Sequence, residues 1–195
     1  MLKGMRDVKV FDFDNTLYHG ESSVDLALYM IKNNKRIILY LPKLFYNLFK
    51  YKLCIVDRNK MIRGINDFLQ NVLSGKDELL GAVDGFWAKN RRKLDAAMLK
   101  RIDSNDVIIT AGPDFLLNGI RDMLNTENIL CSSVDTEKMQ VRYLNFGSSK
   151  ARLYKKKYGS RRIDCFYTDS YNDKSLMELS ERVFIVKKGR LKRVK

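Results

Sequence analysis

Cysteine and proline are scarce in this chain: its 195 residues contain three of the first and two of the second. The cysteines, Cys54, Cys131 and Cys165, are odd in number and wrongly spaced for a disulfide framework or a CxxC metal site. They are expected to be buried thiols in a reducing compartment. With so little proline, and with 45% hydrophobic and 31% charged residues, the composition excludes the disordered, collagenous and low-complexity classes. Internal repeats and Gly/Ser linkers are absent, which leaves one catalytic-size domain with room for an inserted subdomain. Residues 1–7 are charged and run straight into an apolar stretch, so no secretory leader and a cytoplasmic protein are expected. The nearest thing to a membrane span, residues 37–56 (IILYLPKLFYNLFKYKLCIV), carries three lysines and a proline. Each Lys at mid-bilayer costs ~2.5–3.5 kcal/mol, so a span is rejected. The stretch is read as an amphipathic helix with Leu41, Leu44, Phe45 and Leu48 on one side and Tyr40, Lys43, Asn47 and Lys50 on the other. Such a helix packs on its neighbours or makes peripheral contact with an anionic membrane.

Positive charge is abundant. Lys and Arg number 37 against 23 Asp and Glu, a formal net charge of +14. This points to anionic partners without choosing among nucleic acid, lipid headgroups and phosphorylated small molecules.

The order of apolar runs says more. Residues 7–14 form a short buried strand ending in Asp12 and Asp14. Between about residues 20 and 105 the pattern turns helical, most clearly where Met61, Ile62, Ile65, Phe68, Leu69 and Val72 share a face. From residue 106 short strands and helices alternate: strands at 107–109, 129–131 and 163–167, a helix opened by Pro113, and a helix near Lys150. A hairpin of residues 183–186 and 191–194, turning around Gly189, closes the sheet with a basic edge strand. The expected fold class is α/β: a Rossmann-like three-layer core with a mainly parallel sheet from residues 1–19 and 106–195, plus an inserted α-helical cap of residues 20–105. Phe86 and Trp87 are assigned to the cap's interior. His19, the sole histidine, falls where the insertion begins and either meets substrate or makes a structural hydrogen bond.

Chemistry concentrates at the strand ends. Asp12 and Asp14 stand at the carboxyl edge of the sheet, presenting two side chains or one side chain and one carbonyl where α/β domains bind ligands. A calcium loop is excluded there, because its sixth position is Leu17 instead of glycine and the run follows a strand. Asp169 and Asp173 follow another apolar strand, and their spacing lets both approach one point. Alone this pair reads as a capped helix start. Together, four gathered carboxylates resist ionisation without a cation, and a hard, oxygen-held Mg²⁺ answers that need. Thr110 with the following backbone amides, beginning at Ala111, offers a hydroxyl and N–H donors at a helix start, suited to an anionic oxygen. Lys150 begins a helix after a Gly-Ser-Ser turn and supplies a positive charge, although the basic residues after it would by themselves suggest only a solvated face.

The order of these motifs resembles the haloacid dehalogenase superfamily: DxDxT at Asp12, Asp14 and Thr16, the hydroxyl at Thr110, the lysine at Lys150, and the acidic pair Asp169 and Asp173. The insertion between the first two motifs is similar to the phosphoserine-phosphatase-like branch, which includes phosphatidylglycerophosphate phosphatases. The resemblance covers essentially the whole chain. It implies a Mg²⁺-dependent phosphatase that hydrolyses a phosphomonoester, a small phosphometabolite or a phospholipid headgroup, through an aspartyl-phosphate. Asp12 would be the nucleophile; Asp14 would act as general acid and base, with its carbonyl on the metal. Thr110, Ala111 and Lys150 would hold the phosphoryl oxygens, and the metal ligands would come from Asp12, Asp14, Asp169 and Asp173, the last through water or by orienting Lys150. No Glu-and-Arg arrangement in the insertion matches the amino-acid-recognising residues of phosphoserine phosphatases. The competing reading is a non-catalytic anion- or nucleic-acid-binding protein on the same fold, for which no nucleic-acid-reading motif is present.

Overall fold

The computed structural model describes residues 8–33, 38–39, 42, 58–187 and 189–195. The amphipathic helix expected over residues 37–56 lies outside the described residues apart from Ile38, Leu39 and Pro42, and Cys54 lies outside them too.

Seven strands, β1 (Val8–Asp12), β2 (Val107–Pro113), β3 (Ile129–Asp135), β4 (Gln140–Tyr143), β5 (Ile163–Thr168), β6 (Ser180–Lys187) and β7 (Arg190–Arg193), build one sheet. Their order is β4-β3-β2-β1-β5-β6-β7, with β4 and β7 antiparallel to their neighbours and the rest parallel. Successive residues of β1 face opposite layers. Val8 and Val10 join Val107, Ile109, Ile163 and Phe166 beneath α-helices on one face, while Phe11 joins Ile108 and Tyr167 on the other. A strand buried on both faces must be apolar nearly throughout, which is why β1 and β2 read as continuous runs. Phe11, Tyr167 and Phe184 stack across three neighbouring strands with centroids 4.7 and 5.1 Å apart.

The first face is covered by α6 (Ser148–Tyr158) and α7 (Lys174–Leu179). On the second lie α5 (Asp114–Asn118) and, among the described residues between β1 and β2, α1 (Ser22–Asn33), α2 (Arg58–Val72), α3 (Lys76–Asn90) and α4 (Ala96–Leu99). Trp87 of α3 joins the two parts. Its ring packs edge-on to Tyr18 at 5.6 Å, and its Nε1 donates to Leu116 O at 2.8 Å. Gly119 makes room for it, since a Cβ there would come within 2.7 Å of Trp87 Cδ1. Phe86 and Trp87 are interior residues, as read from the sequence.

The chain leaves for the insertion and returns from it at one seam. Tyr18 bridges Leu94 antiparallel; His19 N donates to Lys93 O and Asp95 N to Leu17 O, each at 2.8 Å. His19 stands at this seam, half-exposed, with its Nε2 3.5 Å from Asp95 Oδ2. Asp95 in turn caps α4, accepting from Ala97 N and Met98 N.

Three details differ from the sequence reading. Strand β4 was not expected, because only Val141 and Tyr143 are apolar in it. Its outer side is covered by α2, whose Asn66 Oδ1 accepts from Val141 N at 2.8 Å. The helix expected at Pro113 starts at Asp114 and is five residues long, since β2 runs on through Pro113. Cys131 is only half-buried, whereas Cys165 is buried. Among the described residues no helix is long and apolar enough to cross a membrane.

Candidate active site

The parallel register brings distant residues together at the carboxyl edge of the sheet. Asp12 pairs with Ile109, so Thr110 follows beside it, and Phe11 pairs with Tyr167, so β5 delivers Thr168 and Asp169 on the other flank. After β1 the chain turns sharply: Phe13 O accepts the N–H groups of Thr16, Leu17 and Tyr18. Asn15 adopts φ 57°, a left-handed conformation that asparagine tolerates. The turn carries Asp14 to the start of α1, where its Oδ1 accepts from Ser22 N at 2.7 Å.

Lys150, third residue of α6, is buried, and its Nζ bridges Asp12 Oδ1 at 2.9 Å and Asp173 Oδ2 at 2.7 Å. Asp12 Oδ1 also accepts from Phe13 N at 2.9 Å. The backbone approach to Lys150 is fixed by Asn145, fully buried, which donates to Thr110 O at 2.9 Å and Leu130 O at 3.0 Å. Ser132 completes this tie: its hydroxyl donates to Ala111 O at 2.7 Å and accepts from Asn145 N at 2.9 Å. Thr110 is not at a helix start, because β2 continues past it; its Oγ1 accepts from Gly112 N at 2.9 Å within the strand end.

The four carboxylates do not form one undivided cluster. Asp173 is turned to Lys150, while Asp14 and Asp169 interact with Asp12 and with Glu21. Burial pushes Asp14 up to about 7, reinforced by Asp12 and Glu21 and partly offset by hydrogen bonds from Ser22. Burial likewise pushes Asp169 up to about 6, helped by Asp12 and Glu21 and opposed by Lys150. Asp173 is raised by burial, with Lys150 pulling the other way. Burial works against the charge on Lys150, but the carboxylates of Asp12 and Asp173 outweigh it and hold its pKa above the ordinary lysine value.

The family model described as haloacid dehalogenase-like hydrolase matches residues 10–178, from within β1 to near the end of α7. The chain belongs to this family. No curated protein matches this hydrolase. Among solved structures, a protein of unknown function from Bordetella pertussis Tohama I superposes with a TM-score of 0.74 at 16% identity, over 92% of this chain and 89% of that one. A phosphoserine phosphohydrolase-like protein from Francisella tularensis gives 0.59 at 20% identity, over 91% and 85%. A phosphoserine phosphatase captured as a phospho-aspartyl intermediate analogue gives 0.56 at 11% identity, over 92% and 86%. At these identities the likeness is one of fold.

A cleft of about 500 Å³ opens from the hydrolase's strand ends between α1, α2 and the β3–β4 hairpin. Asp14, Ala111 and Gly112 line it at the sheet edge, with Glu21 beside them. Sequence reasoning did not single out Glu21, Ser132 or Asn145. Glu21 carried a weak signal, standing one residue before the helix that Asp14 caps; the other two are polar residues whose role depends on backbone groups from distant strands.

Proposed function

We propose that the protein is a Mg²⁺-dependent phosphatase that hydrolyses a phosphomonoester through an aspartyl-phosphate on Asp12. The observation that carries this reading is the different setting of two neighbouring carboxyls: Asp12 Oδ1 accepts a 2.9 Å hydrogen bond from buried Lys150 Nζ, while Asp14, bonded to Ser22 N beside the cleft, is pushed up to about 7 by burial. A nucleophile needs the first environment and a general acid and base the second.

In the first step a carboxylate oxygen of Asp12 attacks phosphorus, the bond from phosphorus to the ester oxygen breaks, and Asp14 donates its proton to the departing alcohol. In the second, Asp14 takes a proton from water as that water attacks the phosphorus of the aspartyl-phosphate, releasing inorganic phosphate and the free Asp12. Lys150 neutralises charge on the phosphoryl oxygens, and Thr110 with the backbone N–H of Ala111 faces them from the adjoining strand. Asp173 acts as a positioning residue for Lys150.

Donor chemistry at the site fits Mg²⁺. Asp12, Asp14 and Asp169 offer only oxygen, and the raised carboxyls of Asp14 and Asp169 mark a surplus of negative charge that a hard cation relieves. No group of three His, Cys, Asp or Glu side chains among the described residues is arranged to hold a metal by itself. Two carboxylates, Asp12 and Asp169, would hold the ion, aided by the Asp14 carbonyl and by water, as Mg²⁺ prefers. The bound ion supplies charge stabilisation to the phosphoryl oxygens. The helices of residues 20–105 serve as the cap over this edge of the core formed by 1–19 and 106–195, limiting water access during transfer.

Purified protein should release phosphate from an aryl phosphate with Mg²⁺, and Asp12→Asn should abolish the release. Absence of turnover with every divalent metal and every phosphomonoester tried would overturn the reading.

A further inference from the structure

The cleft beside Asp14 is built for something other than a small polar alcohol. Its walls come from α1 (Leu26, Met30), from α2 (Met61, Phe68) and from the hairpin side (Val134, Leu144). Among the described lining residues only Asp14 and Glu21 carry charge, and both belong to the end at the sheet edge; no Lys or Arg is among them. Arg58 donates to Leu144 O at 3.0 Å and Asn66 accepts from Val141 N at 2.8 Å, so α2 is fastened to the hairpin.

We propose that the alcohol half of the substrate carries an alkyl or acyl chain, and that this chain lies in the cleft while its phosphate faces Asp12. The inference rests on the phosphatase reading and names its substrate class. Continuity of the cleft with Asp14 is the deciding geometry, because Asp14 is the group that protonates the departing oxygen, so whatever is attached to that oxygen extends into the cleft. Among the described lining residues a cationic or zwitterionic alcohol would find Glu21 as its one charged partner besides Asp14, and it would leave the apolar walls wet. An aliphatic chain removes that surface from water, and Met30 and Met61 adapt their shape to it.

The test is a series of dissolved n-alkyl phosphates from ethyl to decyl, assayed below their micelle concentrations beside phosphoserine and an aryl phosphate. Each methylene that enters the cleft should raise kcat/KM about fourfold, so octyl phosphate should exceed butyl phosphate by roughly two-hundredfold before the gain levels off. Ile65→Lys and Val141→Lys each put a charge on a half-buried lining position. Either should flatten the series, the loss growing with chain length. If a variant fails to fold by circular dichroism, the wild-type series still decides. A flat series, or a preference for phosphoserine, overturns the proposal while the phosphatase reading stands. If no ester is hydrolysed, that reading fails, and the cleft is judged by binding: octylphosphonate should raise the melting temperature where ethylphosphonate does not, and equal effects would overturn the proposal. A lysophosphatidate offered as monomer and in neutral vesicles then distinguishes a dissolved from a membrane source.

Discussion

Asp173 Oδ2 accepts a 2.7 Å hydrogen bond from Lys150 Nζ, and both side chains are buried. Asp173 is thus the group that keeps Lys150 extended toward Asp12. Asp173→Asn should lower kcat about 10- to 100-fold, the usual cost of removing a partner that orients a reacting group. KM for an aryl phosphate should change much less. On the phosphatase reading Lys150 neutralises the phosphoryl group, so Lys150→Met should lower kcat by roughly 10²–10³. It also strands two buried carboxylates, so its unfolding free energy should fall by about 3–5 kcal/mol. Steady-state kinetics and urea titrations of both variants check these values.

The metal-free protein should become less stable as pH rises toward neutrality. The carboxyl of Asp14 moves from 3.8 up to about 7, and that of Asp169 from 3.8 up to about 6, both through burial first and neighbouring carboxylates second. A group whose folded pKa is raised binds its proton more tightly when folded, so its contribution is complete below about 4 and is lost as pH climbs through about 6 to 7. Melting temperatures in chelator should therefore decline between pH 5 and pH 7.5 through these two groups. Mg²⁺ at pH 7.5 should reverse the decline, since it favours the ionised carboxyls. A melting temperature that is flat across this range and indifferent to Mg²⁺ would contradict the assignment.

Trp87 and Gly119 should be mutually dependent. Trp87→Ala removes a buried indole and is expected to cost about 3–5 kcal/mol. Gly119→Ala drives a methyl against the same ring, within 2.7 Å of Cδ1, and should be destabilising by about 1–3 kcal/mol. Combined with Trp87→Phe, the alanine at 119 should cost less than it does alone. A double-mutant cycle in urea measures the coupling.

At the seam, Asp95→Ala deletes the cap of α4 and should cost about 1–2 kcal/mol. Asp95→Asn keeps an acceptor for Ala97 N and Met98 N and should recover most of that loss. Thermal denaturation of the pair separates capping from charge.

The central strands were legible because burial on both faces demands unbroken apolar runs, and Asp12, Asp14, Asp169 and Asp173 were legible because each follows such a run. Lys150 was legible only with these partners, its neighbours being equally basic. Strand β4 was not, since a two-sided edge with Val141 and Tyr143 as its only apolar residues has no period to detect. Nor was the tie of Asn145 and Ser132, which bonds backbone groups of separate strands and leaves no pattern along the chain. The cleft depends on how α1 and α2 are rotated about their axes, and periodicity identifies an apolar face without saying whether another helix or open space lies opposite it.

The backbone crosses out at Leu17 and His19 and back at Lys93 and Asp95 through paired hydrogen bonds, so the stretch between β1 and β2 starts and finishes at one place. A replacement stretch would have to meet the same four residues, bring an indole or its equivalent to Leu116, and keep a backbone N–H at the place of Ser22 for Asp14. One contiguous block of sequence thus enters and leaves the sheet through a single pair of crossings.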